Sequence, residues 1–88
     1  MAAKAFILIE TAVGRTKEVV STLQQLGRVK SADCVTGPYD VIAVVEGENL
    51  NEIGVLITGK INLVAGIART VTCLAFTFEL VANFVVID

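Results

Sequence analysis

The segment from Lys4 to Thr11 constrains the fold more than any other. Successive side chains of an extended strand point to opposite faces. Here both alternating sets are apolar: Phe6 and Leu8 on one side, Ala5, Ile7 and Ile9 on the other. Such a strand belongs inside a sheet covered on both faces. The chain has 88 residues, enough for one domain. Its own helices can cover one face of a sheet, so the other needs a layer from elsewhere. A second copy of the chain is the simplest source. The composition, 55% apolar against 18% charged, agrees, because a small chain buries such an excess most readily by self-association.

The rest of the chain supplies the elements around that strand. Val19, Leu23 and Leu26 fall at i, i+4 and i+7 beside Val20, predicting a helix from about Thr16 to Leu26. Gly27 follows as its expected C-terminal cap. Arg28 to Thr36 is a more polar strand suited to a sheet edge. Gly37-Pro38-Tyr39-Asp40 is a turn, and Val41 to Val45 a fully apolar strand that pairs back as a hairpin. Asn49 is an N-cap for a second helix with Leu50, Ile53, Ile57 and Ile61 as its stripe. Gly54 and Gly59 weaken that helix by about 1 kcal/mol each relative to Ala. Arg69 to Phe78 is the fourth strand, and Leu80 to Ile87 a further short strand or extended tail. The order β-α-β-β-α-β gives an α+β, ferredoxin-like sandwich with an extra C-terminal strand, a domain over 1–78 and a tail over 79–88.

Several function classes are disfavoured. There is no histidine, which removes the commonest general base and metal ligand. Cys34 and Cys73 are too few and too far apart for a disulfide scaffold or a metal site, and are expected as buried small hydrophobes on strands at opposite sheet edges. The carboxylates Glu46, Glu48 and Glu52 read as a solvated loop and helix start. No metal or cofactor is expected. A net charge of −2 offers no broad basic surface for nucleic acid. The apolar stretch Thr70 to Ile87 carries Glu79 at its centre and several threonines, so it reads as two strands rather than a membrane span. No signal peptide is read at the N-terminus, and a cytoplasmic protein is expected.

Two clusters carry a family resemblance. The first is Thr36, Gly37, Pro38, Tyr39 and Asp40 before an apolar strand. The second is Gly66, Ile67, Ala68, Arg69, Thr70, Val71 and Thr72 after the second helix. Together, over roughly residues 3 to 78, they resemble the C-terminal effector-binding (RAM) domain of the Lrp/AsnC feast/famine transcription regulators, with its T-G-x-Y-D hairpin turn and later G-[VI]-x-R-x-x-T strand. Full-length members carry an N-terminal helix-turn-helix domain. This sequence starts at the first strand and so resembles the stand-alone RAM proteins. The resemblance implies a dimer with two sheets packed face to face as an α/β barrel. It also implies assembly into octameric or similar rings, with amino acids or related small molecules bound between dimers.

The candidate effector-binding residues are Gly37, Tyr39, Asp40, Thr70 and Thr72. Backbone N–H groups freed at a glycine turn can receive a carboxylate, and the Asp40 carboxylate can receive an ammonium group. Gly37 and Asp40 equally suit a plain turn. Thr70 and Thr72 share one side of the fourth strand, where their hydroxyls either meet an effector or serve the sheet. Arg69, on the opposite side, either pairs with an acidic residue or stands as a solvated edge charge, the latter being the plainer reading. The expected function is a non-enzymatic, amino-acid-sensing oligomerisation module without direct DNA contact, with a full-length Lrp/AsnC regulator as a further partner. The alternatives are a dimeric α/β-barrel enzyme of the monooxygenase or isomerase type, or an ACT-like regulatory domain.

Overall fold

In the computed structural model the structure describes residues 3–76 and the backbone of 80–81 and 84–85. The elements are β1 (Ala3–Thr11), α1 (Thr16–Gln24), β2 (Val29–Cys34), β3 (Val41–Gly47), α2 (Leu50–Gly59) and β4 (Ile67–Ala75), with a short 3-10 turn at Ile61–Leu63. The doubly apolar β1 lies inside the sheet, antiparallel to β3 on one side and β4 on the other. The strand order is β2-β3-β1-β4, so the polar β2 is an edge strand, in keeping with its composition. The fold is a ferredoxin-like α+β sandwich of four antiparallel strands and two helices.

Alternation along β1 decides where the core sits. Ala5, Ile7 and Ile9 are fully buried and stand in register with Val45, Ala43 and Val41 of β3. Val19 and Leu23 of α1, with Ile53 and Leu56 of α2, close over this face. The opposite face carries Phe6 and Leu8, flanked by Val44 and Ile42 of β3 and by Cys73 and Val71 of β4. No described element of the chain covers it, and Phe6 remains 36% exposed.

Asn49 caps α2, its side chain accepting the Glu52 N–H at 2.9 Å. Asn49→Ala should cost about 1 kcal/mol, read as a fall of roughly 4–8 °C in Tm by circular dichroism. An unchanged Tm would show that the cap contributes nothing.

Some expectations need correction. Gly27 does not take a left-handed conformation. Instead α1 ends in a tightened turn, with Gln25 N–H to Thr22 O at 3.1 Å and Leu26 N–H to Leu23 O at 3.0 Å. On α2 the buried face runs through Ile53 and Leu56, while Leu50 is exposed and Ile57 half-buried. Gly54 and Gly59 fall on the exposed side. Cys34 and Cys73, expected as buried, are both exposed. Cys34 ends the edge strand β2, and Cys73 lies on the uncovered face of the other edge strand, so neither has a layer over it. The tail forms two two-residue strands, β5 (Leu80–Val81) and β6 (Phe84–Val85). They pair with each other and not with the main sheet. The rest of the expected tail strand lies outside the described residues. No described helix is long and apolar enough to cross a membrane.

Candidate functional site

The β2–β3 hairpin closes through Val35 N–H to Asp40 O at 2.9 Å. At its tip Gly37 has φ +119°, and a Cβ built there would meet nothing within 4 Å. Glycine is therefore required at this position by backbone conformation and not by crowding.

Asp40 is held more firmly than a plain turn residue. Its N–H bonds Ile9 O at 2.9 Å. Its Oδ2 accepts the Thr11 N–H at 2.9 Å and is 3.3 Å from the Thr11 hydroxyl. Thr11 Oγ1 is in turn 2.7 Å from Thr16 Oγ1, the first residue of α1. The carboxylate thus continues the β1–β3 ladder where the β3 backbone turns away, and it ties hairpin, strand end and helix start together. Among the described residues nothing bonds its second oxygen, Oδ1. Asp40 is half-buried, which favours a fixed geometry for that oxygen.

Tyr39 is also half-buried. Arg69 is paired with Glu10, its cross-strand neighbour, with Nη2 at 2.6 Å and Nε at 3.1 Å from Oε2. The Glu10 hydrogen bond and charge, with a smaller contribution from Tyr39, hold the guanidinium above its ordinary pKa. Arg69 is therefore a paired edge charge and not a lone one, though solvent screening leaves so exposed a pair little weight in stability.

Thr70 and Thr72 do share one side of β4, in register with Ile9 and Ile7. The Thr70 hydroxyl donates to Asn62 Oδ1 at 3.3 Å. Thr72 is exposed, and no described group bonds its hydroxyl. The two halves of the candidate site flank β1, because Ile9 lies between Asp40 and Thr70. Two strand spacings separate them, about 10 Å. Within one chain the five candidate residues therefore occupy one end of the sheet without converging on a point.

Three further participants, Thr11, Thr16 and Asn62, are not marked by any sequence motif. The Thr11–Asp40 contact spans 29 residues, and no spacing rule reaches that far. A threonine ending a strand and another opening a helix is the only signal. Among the described residues, no three His, Cys, Asp or Glu side chains gather as a metal site would require.

Comparison with known proteins places these features. Residues 4–78 match the family model of the Lrp/AsnC ligand binding domain. No curated protein sequence matches. Among solved structures, the crystal structure of FFRP-DM1 is 39% identical with a TM-score of 0.80, over 84% of this chain and 99% of that one. The hypothetical protein PHS023 from Pyrococcus horikoshii is likewise 39% identical with a TM-score of 0.80, over 88% and 92% of the two chains. A transcriptional regulator from Neisseria meningitidis, solved as its L-Met complex, is 14% identical with a TM-score of 0.77, over 85% of this chain and 50% of that one. The hairpin with Gly37 and Asp40 and the β4 segment from Gly66 to Thr72 both fall inside the matched range, which decides between the two regulatory readings: the chain belongs to the Lrp/AsnC ligand-binding domain family.

Proposed function

We propose that this effector-binding regulatory module takes a small molecule of the amino-acid class at the Gly37–Asp40 end of the sheet, and couples binding to assembly. The observation that carries the proposal is the state of Asp40. One oxygen is fixed by Thr11, while the other accepts no bond from the described residues, and an exposed left-handed glycine, Gly37, lies three residues earlier in the same turn. A fixed carboxylate oxygen suits an ammonium group, and the open turn backbone suits a carboxylate. L-Met bound by a regulator of the same fold supports the ligand class. Thr70 and Thr72 lie too far from Asp40 to share one small ligand within a chain, so a neighbouring copy completes the site with its own strand.

The uncovered face around Phe6 and Val44 packs against the same face of a second copy, and the dimers build a higher ring of octameric or similar size. Residues 79–88 are the tail of this one domain. The role is regulatory and not enzymatic, exerted in the cytoplasm, with mixed oligomers containing a full-length Lrp/AsnC regulator as the output. With a net charge of −2 the domain has no need to contact DNA itself.

Thermal unfolding against the twenty amino acids at millimolar concentration tests the ligand. A native-state ligand at a hundredfold excess over Kd stabilises by about 2.7 kcal/mol. Thr72→Val removes a hydroxyl without an intrachain bond at nearly constant volume, so the unliganded Tm should move by no more than about 0.5 kcal/mol equivalent. The ligand-induced shift should disappear in that variant. A flat panel, or a shift indifferent to Thr72→Val, would count against the site.

A further inference from the structure

The far end of β3 carries a second site-like feature. β3 has seven residues, so its two ends are about 20 Å apart. Beyond its last residue, the loop after α1 and one side of α2, from its cap Asn49 to Lys60 just past its end, line an open cleft of about 690 Å³. That lies within the roughly 300–1,000 Å³ of small-molecule sites.

Its walls are apolar and its rim is cationic. Leu26 and Leu56 form the inner wall, and Val55, 70% exposed, adds apolar surface at the mouth. Arg28 and Lys60 line it with a single acid, Glu52. That acid is already engaged: its Oε1 takes the Arg28 guanidinium and also the Glu48 N–H at 2.9 Å. These bonds, the Glu48 N–H first, hold the Glu52 carboxyl below its ordinary pKa. Lys60 makes no ion pair with any described residue. The N–H groups of Gly27 and Arg28, also in the wall, find no acceptor among the described residues. With Arg28 paired to Glu52, Lys60 is the charge lining the cleft that has no ion-pair partner among the described residues, and it stands over an apolar wall.

We infer that this cleft binds a small organic anion with an apolar body, such as an aliphatic carboxylate, at a site separate from the hairpin end. The carboxylate lies toward Lys60, and the hydrocarbon lies along Leu26, Val55 and Leu56. The head group needs no ammonium partner, which separates this ligand class from the zwitterion proposed for the Asp40 end.

Isothermal titration of the full chain with octanoate and with octylamine tests the inference, because the two probes share an apolar tail and differ in charge. Lys60→Glu and Val55→Asp are the variants. Both positions are exposed, so circular dichroism should show wild-type folding. Octanoate is expected to bind saturably and octylamine not at all. Each variant should weaken octanoate by about tenfold or more, the effect of roughly 1.4 kcal/mol. The inference is overturned by the absence of saturable octanoate binding or by equal affinity for the amine. Octanoate affinity unchanged in both variants would overturn it too, since the tail would then be sitting elsewhere, for example on the open sheet face.

Discussion

Val44→Lys should abolish the proposed face-to-face assembly and leave folded monomers, as read by light scattering on a sizing column. Val44 sits on the uncovered face, in register with Phe6 of β1 and Ser31 of β2. In a single chain this position is half-buried. A lysine there can lay its methylenes on the neighbouring apolar surface and keep its ammonium in water, so the isolated fold survives. Between two such faces the ammonium has no water and no partner. An unpaired charge at the centre of a desolvated interface costs several kcal/mol. Each 1.4 kcal/mol is tenfold in association, so a loss of about a thousandfold or more is expected. Far-ultraviolet circular dichroism should stay that of the native domain. A variant that keeps the wild-type molar mass would show that this face is not the one copies use.

Periodicity makes that face legible in the sequence. A strand has a period of two, so Phe6 and Leu8 must face away from Ala5, Ile7 and Ile9 whatever the fold. Two helices can reach only one side of the sheet, and the arithmetic of faces leaves the other bare. The edge position of β2 is legible for a similar reason: Lys30, Ser31 and Asp33 would be costly in a central strand. Helix detail is less accessible. Leu56 and Ile57, at i+3 and i+4 from Ile53, flank it on either side of the wheel, and only the direction from which the sheet approaches α2 selects Leu56 for burial. The cysteines mislead because burial tendency is a property of residue type, whereas their exposure comes from lying at edges and on a face the chain does not cover.

The candidate site divides along the same line. Gly37 announces its turn, and its left-handed backbone is a local property of a local sequence. Asp40 is legible as a residue of interest but not as a latch, because its partner Thr11 lies on another strand. Arg69 reads as a solvated charge or as the partner of an acid, and only the β1–β4 register selects the second reading and names Glu10. Register is a tertiary fact. Motif spacing fixes which residues leave a strand on one side, as it does for Thr70 and Thr72, but not what stands across from them.

Gly66→Ala should destabilise the domain more than any other single methyl group added to a glycine of the described chain. Gly66 has φ +98°, a conformation that costs a residue with a Cβ about 1–2 kcal/mol. Its surroundings add a second cost. A Cβ there would lie 2.9 Å from Val19 Cγ2 and 3.0 Å from Arg15 Cβ. Val19 is fully buried in the core, so it cannot yield without disturbing the side chains packed around it. The backbone cannot yield easily either, because Gly66 O accepts the Ala12 N–H at 2.7 Å and so pins the entrance of β4 to the end of β1. Overpacking of this kind adds about 1–3 kcal/mol. The sum, about 2–5 kcal/mol, is a large part of the roughly 5–15 kcal/mol that holds a small domain folded. At about 4–8 °C per kcal/mol the Tm should fall by roughly 8–40 °C. Gly37→Ala is the internal control. It has the same adverse sign of φ but open space around the new methyl, so it should lose only the backbone part, about 1–2 kcal/mol. Equal Tm losses in the two variants would refute the packing half of the argument. A Gly66→Ala domain as stable as wild type would refute both halves, and with them the view that this glycine holds its place in the β4 motif for conformational and steric reasons.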